Sequence, residues 1–123
     1  MGSRLHPAAI AVYAVQALQN AAVPMLVILG VSAFGVNAIV LPAGAETGRH
    51  RHERQQELYF VHAGRVAFEF GDGAVRELGP GGLARVDAAT VRRVRNVGEE
   101  DAIYVCVGGD GGYVGRDGVP PPS

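Results

Sequence analysis

The stretch Leu58-Tyr-Phe-Val-His-Ala-Gly-Arg-Val66-Ala-Phe-Glu-Phe70-Gly-Asp-Gly73-Ala-Val-Arg-Glu-Leu78 decides how the chain folds. Val66, Phe68 and Phe70 alternate with Ala67 and Glu69, a period of two that gives a strand one buried face. Gly71-Asp72-Gly73 has the backbone freedom of a hairpin turn, so residues 75–78 return beside 66–70. Residues 58–62 form a strand just before. Downstream, Gly79-Pro80-Gly81-Gly82 turns the chain into a strand at 83–86. Strands at 91–97 and 102–107 follow, separated by the polar turn Gly98-Glu-Glu-Asp101. Upstream, Phe34, Val36, Ala38 and Val40 alternate with Gly35, Asn37 and Ile39 before a turn at Pro42-Ala-Gly44. Strands this short and closely spaced indicate an all-β sandwich or barrel. No internal repeat or heptad is present.

A chain of 123 residues makes one domain with room for a core. Hydrophobic residues are 48% but aromatics only 7%, so Val, Ala, Leu and Ile must build that core. A net charge of −1 argues against an electrostatic nucleic-acid binder. The single cysteine, Cys106, excludes an intramolecular disulfide and a multi-cysteine zinc module, and reads as a buried small hydrophobe. All 11 Lys and Arg residues are Arg, which removes Schiff-base and lysine-nucleophile chemistry.

No Asp, Glu, Arg or Lys occurs from residue 7 to residue 45. Residues 8–22 read as a short helix, Pro24 interrupts, and Met25-Leu-Val-Ile-Leu29 is densely apolar. A membrane span needs about 20 continuous apolar residues, whereas Gln16, Gln19, Asn20 and Pro24 fall inside this window. A secretory signal would be cut best at Ala43-Gly-Ala45, within the first strands, and the cut would destroy the fold. The expectation is therefore an apolar arm, helical or irregular, over residues 1–31 of a cytoplasmic protein. Residues 32–108 form the barrel and 109–123 a flexible tail, with Gly108-Gly-Asp-Gly-Gly112 as its exit. Apolar surface in the arm predicts a homodimer in which the arm or an edge strand crosses to the partner.

The chemistry concentrates in His50-Arg51-His52. On a strand, residues i and i+2 point to one face, so both imidazoles can converge. Glu57 opens the next strand. If it points inward, so do Tyr59 and Val61, while Gln56 and His62 point outward. Glu53, in the connecting loop, is the less natural ligand. Two imidazoles and a carboxylate suit Fe(II), Mn, Ni or Zn and leave coordination positions open. The competing reading is a solvated His-x-His pair on an Arg-rich loop.

Gly44-x5-His50-x-His52-x4-Glu57-x6-Gly64 resembles the first motif of the cupin family at every fixed position. The family's second motif, Gly-x5-Pro-x-Gly-x2-His-x3-Asn, is partly present as Pro80-Gly81-Gly82 and, across a longer spacer, Arg92-x3-Asn96. The resemblance covers about residues 32–108 and implies a double-stranded β-helix, a jelly-roll barrel, with the arm outside it. It also implies a departure, because metal-binding cupins have a fourth ligand, a histidine, where this chain has Arg92. Guanidinium stays protonated in proteins and cannot ligate a metal. Parity puts Arg92, Val94 and Asn96 on the inner face, with Arg93 and Arg95, like Glu69, on the solvent face. Arg92, Tyr59 and Asn96 are accordingly expected at the barrel mouth as ligand-binding residues. Either a metal sits on His50, His52 and Glu57 and Arg92 clamps an anionic ligand beside it, or Arg92 pairs in bidentate fashion with Glu57 and replaces the metal. The expected function is binding of a small anionic ligand at a divalent metal. The alternative is a metal-free sensor or binding module. No catalytic residue or reaction can be named.

Overall fold

The computed structural model describes residues 22–24, 31, 33–115 and 117–122. Among them the chain is built from strands: β1 (Ala22–Pro24), β2 (Gly35–Leu41), β3 (Arg51–His52), β4 (Gln56–Ala63), β5 (Val66–Phe70), β6 (Val75–Leu78), β7 (Leu83–Val86), β8 (Arg92–Asn96), β9 (Ala102–Gly109) and β10 (Gly118–Val119). They pair into a five-stranded sheet of order β1-β2-β9-β4-β7, a three-stranded sheet β6-β5-β8 and a two-stranded ribbon β10-β3, all antiparallel. This is the all-β barrel architecture expected from the strand spacing. The helix expected over residues 8–22 falls almost wholly outside the described residues. Its last residue, Ala22, belongs to β1 instead, which pairs with the edge of β2. Among the described residues, no helix is long and apolar enough to cross a membrane.

Alternation explains the core. On β4, Glu57, Tyr59 and Val61 are buried and Gln56, Leu58, Phe60 and His62 exposed. Opposite them on β9, Ala102, Tyr104 and Cys106 are buried. Val66 and Phe68 of β5 close the core from the smaller sheet, and Tyr59 meets Phe68 edge-on with ring centroids 5.0 Å apart. That contact ties the two sheets together. The hairpin at Gly71–Gly73 forms where its residues predict, with Gly73 N donating to Phe70 O.

Ile39 pairs with the inward Tyr104 and Ala38 with Val105 of the outer face, so Val36, Ala38 and Val40 lie on the outer face of β2, where Ala38 and Val40 are nonetheless buried. An apolar alternation marks a strand but not which of two apolar faces turns inward. Glu69 and Arg93, expected on the solvent face, are half-buried there because Glu69 accepts hydrogen bonds from Arg93 and lies 3.2 Å from Arg95 Nε. The glycine that closes the first motif is required sterically. Gly64 has φ 79°, and a Cβ there would lie 2.7 Å from Ala102 Cα.

Candidate metal centre

His52 lies in β3, and His50, just before it, forms an isolated bridge with Arg92 of β8. His50 N donates to Arg92 O at 3.0 Å and Arg92 N to His50 O at 2.9 Å. Residues opposed in this way send their side chains to the same face. His50 and Arg92 therefore both enter the barrel. Glu57, near the start of β4, faces them from the large sheet. Ligand atoms of His50, His52 and Glu57 all lie within 4.8 Å of one another. The two imidazole rings meet edge to face, with centroids 5.1 Å apart.

Glu57 is enclosed by donors. Tyr59 Oη donates to its Oε1 at 2.6 Å and Cys106 Sγ to its Oε2 at 3.2 Å. Burial opposes ionisation of Glu57, but the adjacent His52 imidazole and the Tyr59 and Cys106 hydrogen bonds outweigh it and hold the carboxyl down at about 2. Burial, and the nearby Glu57 charge, push the Tyr59 hydroxyl and Cys106 thiol well up, so both remain protonated donors. Cys106 is thus a buried residue with a polar duty as well.

The orientation of His52 bears on whether the donor set fits a divalent ion. Its Nδ1 lies 2.8 Å from Asp117 Oδ1, an acceptor, and 3.1 Å from Gln55 Nε2, which itself donates to Asp117 Oδ1 at 2.6 Å; with the carboxylate as the closer partner, Nδ1 carries the proton in the neutral ring. Nε2 then presents a lone pair. It is buried, 3.1 Å from Glu57 Oε1, yet makes no hydrogen bond. Two lone pairs facing each other at that distance call for a cation or a proton between them. His50 Nδ1 contacts Gly48 O at 3.0 Å, which leaves its Nε2 free as well. Two imidazole nitrogens and a carboxylate oxygen fit Fe(II), Mn, Ni or Zn. Charge also favours protonating His52: burial lowers its pKa, but Glu57 and Asp117 raise it more.

The three residues expected to touch a ligand are placed otherwise. Arg92 is fully buried, at 0% exposure, and does not reach the mouth. Its guanidinium donates to Asp87 O at 3.2 Å and Ala88 O at 3.4 Å, and only one nitrogen approaches Glu57 Oε1, at 3.7 Å. That is neither a bidentate pair nor an exposed clamp, because the carbonyls of the turn before β8 capture the guanidinium first. Tyr59 is spent on Glu57. Asn96 sits at the far end of β8, where its amide donates to Leu41 O and Glu100 O and accepts from Gly98 N. It closes a turn and is not brought to the site. His62 is exposed on the outer face, as parity predicts.

Sequence reasoning missed two partners. Gln55 is buried and donates through Nε2 to Asp117 Oδ1 at 2.6 Å. Asp117 belongs to the tail expected to be flexible. Instead β10 pairs with β3, setting Gly118 opposite His52. Nothing in the local pattern of residues 109–123 marks such a return. Gly108, opposite Glu57, makes room for Gln55, whose Oε1 would lie 2.3 Å from a Cβ there. A cleft of about 470 Å³ opens on the outer face of the large sheet at this end, lined by Gln56, Leu58, Arg85, Val107 and Gly108 among others; of the cluster only Glu57 borders it. Arg85, exposed and 3.0 Å from Asp87, is the cation that borders it.

A family model described as "Cupin domain" matches residues 37–108. Among solved structures, a cupin protein from Bacteroides fragilis is 25% identical with a TM-score of 0.69, over 85% of this chain and 92% of that one. A sugar phosphate isomerase of the cupin superfamily from Silicibacter pomeroyi is 28% identical with a TM-score of 0.65, over 71% of this chain. The match spans only 57% of that isomerase's length. A protein with a double-stranded β-helix domain from Klebsiella pneumoniae shares the fold at 24% identity and a TM-score of 0.66, over 76% of this chain and 78% of that one. Among curated proteins, none matches.

Proposed function

Because the chain belongs to the cupin domain family, we propose that it binds a small anionic metabolite beside a divalent metal ion held by His50, His52 and Glu57. The observation that carries this reading is the buried, unpartnered His52 Nε2 directed at Glu57, with the third ligand atom inside the same 4.8 Å cluster. A bound ion would supply Lewis-acid polarisation of an oxygen donor. Around it, Tyr59 and Cys106 orient the carboxylate, and burial of His52 and Glu57 excludes water. A sugar phosphate fits this chemistry, and the Silicibacter relative supports the class.

The test is calorimetric titration of Zn(II) into chelator-treated, untagged protein, followed by a pentose phosphate. His50→Ala and His52→Ala each lose zinc binding, whereas His62→Ala retains it, because a site left with two donors competes poorly with water. Equal loss in all three contradicts the assignment. A metal-free binding module is the second reading, favoured by the buried Arg92 charge 3.7 Å from Glu57. It predicts sugar-phosphate binding that is indifferent to zinc.

A homodimer is also proposed. Leu58, Phe60 and Leu83 are 43%, 39% and 60% exposed on the outer face of the large sheet. Register places Phe60 beside Leu83 and Val105, and Leu58 beside Val107, in one continuous apolar patch. A second copy offers the same patch to itself.

A further inference from the structure

The residue that orients His52 lies beyond the family match, which ends at 108. After β9 the chain returns to the barrel mouth, where Gly118 and Val119 pair with His52 and Arg51. The pairing delivers the Asp117 carboxylate into the loop between β3 and β4. Its Oδ2 accepts from Arg54 N at 2.7 Å and Gln55 N at 3.0 Å, and its Oδ1 lies 2.6 Å from Gln55 Nε2 and 2.8 Å from His52 Nδ1. Glu53 N donates to Asp117 O at 3.3 Å, so backbone and side chain both hold the strap. The strap packs against the ring itself: a Cβ on Gly118 would lie 3.4 Å from His52 Cε1.

We propose that Asp117 is a positioning residue, a carboxylate carried in by the C-terminal strap that fixes His52 as the Nδ1–H tautomer and aims Nε2 at His50 and Glu57. Asp117 Oδ1 is the nearest group to Nδ1, at 2.8 Å against 3.1 Å for Gln55 Nε2, and that amide donates to Asp117 Oδ1 at 2.6 Å, so the carboxylate draws the proton of the neutral ring to Nδ1. A carboxylate behind a ligating imidazole fixes its orientation and raises its basicity. The metal-affinity part rests on the function proposed above, while the tautomer part stands independently.

The experiment reads both in the full-length chain. Proton–nitrogen correlation spectra of the metal-free wild type above the titration of His52 show the Nδ1–H tautomer. A neutral His52 found as Nε2–H in the wild type overturns the proposal regardless of any variant. In Asp117→Asn the amide keeps the shape but can set an N–H against Nδ1, and His52 shifts towards Nε2–H. Zn(II) affinity in that variant falls tenfold to a hundredfold. A folded Asp117→Asn with the wild-type tautomer overturns positioning. A tautomer shift with unchanged zinc affinity overturns its bearing on the metal. If the wild type binds no zinc, the metal reading fails, and the tautomer shift alone decides the role of Asp117.

Discussion

Arg92 concentrates the electrostatics of this barrel in one side chain. It is the largest of the fully buried side chains, and its charge is met by two carbonyls and one distant carboxylate oxygen. A buried cation beside an ion site repels the ion. Because His50 and Arg92 are opposed and share a face, an imidazole at position 92 adds a donor as it removes the repulsion. Arg92→His should therefore tighten Zn(II) binding at least tenfold, about 1.4 kcal/mol, as read by calorimetry. Unchanged affinity would mean that the Arg92 charge is not felt at the cluster.

The inner end of β9 bears on the site through an absence. Gly108 stands opposite Glu57, and its missing side chain is the space that Gln55 fills. Gly108→Ala should expel Gln55, cost roughly 1–3 kcal/mol of stability through overpacking, and loosen Asp117, seen as a lower melting temperature and a changed His52 signal. A variant with the wild-type melting temperature and His52 spectrum would show that Gln55 yields without consequence. This end of the molecule also marks where sequence reading stops. Alternation on β4 correctly buries Glu57, Tyr59 and Val61, and the glycine turns place β5 to β7, because both signals are local. The outer-face orientation of β2 depends on register with β9. Asp117 depends on a pairing that spans 65 residues. Arg92 was legible as inward-facing, but its capture by Asp87 and Ala88 depends on the turn's path.

For the whole molecule, association and pH response follow from the same surfaces and charges. Replacing Leu83 by Glu in the exposed patch should convert a dimer to monomer in light scattering at micromolar concentration, while a monomeric wild type would dismiss the interface. Glu57 has its carboxyl lowered from an ordinary 4.5 to about 2, so it adds stability above pH 4.5 that is lost as pH falls towards 2. His52 is raised above its ordinary 6.5, so its contribution is full below that value and lost as pH rises through the folded one. The melting temperature of chelator-treated protein should thus be highest between about pH 4.5 and 6.5. A maximum well above pH 7 would contradict this charge arrangement. The central claim, that His50, His52 and Glu57 hold a metal despite Arg92, is tested most directly by elemental analysis of untagged protein purified without chelator. Close to one divalent transition-metal ion per chain is expected, lost in His52→Ala; a folded wild type with no bound metal, and none taken up from added Fe(II), Mn(II), Ni(II) or Zn(II), would rule the metal site out.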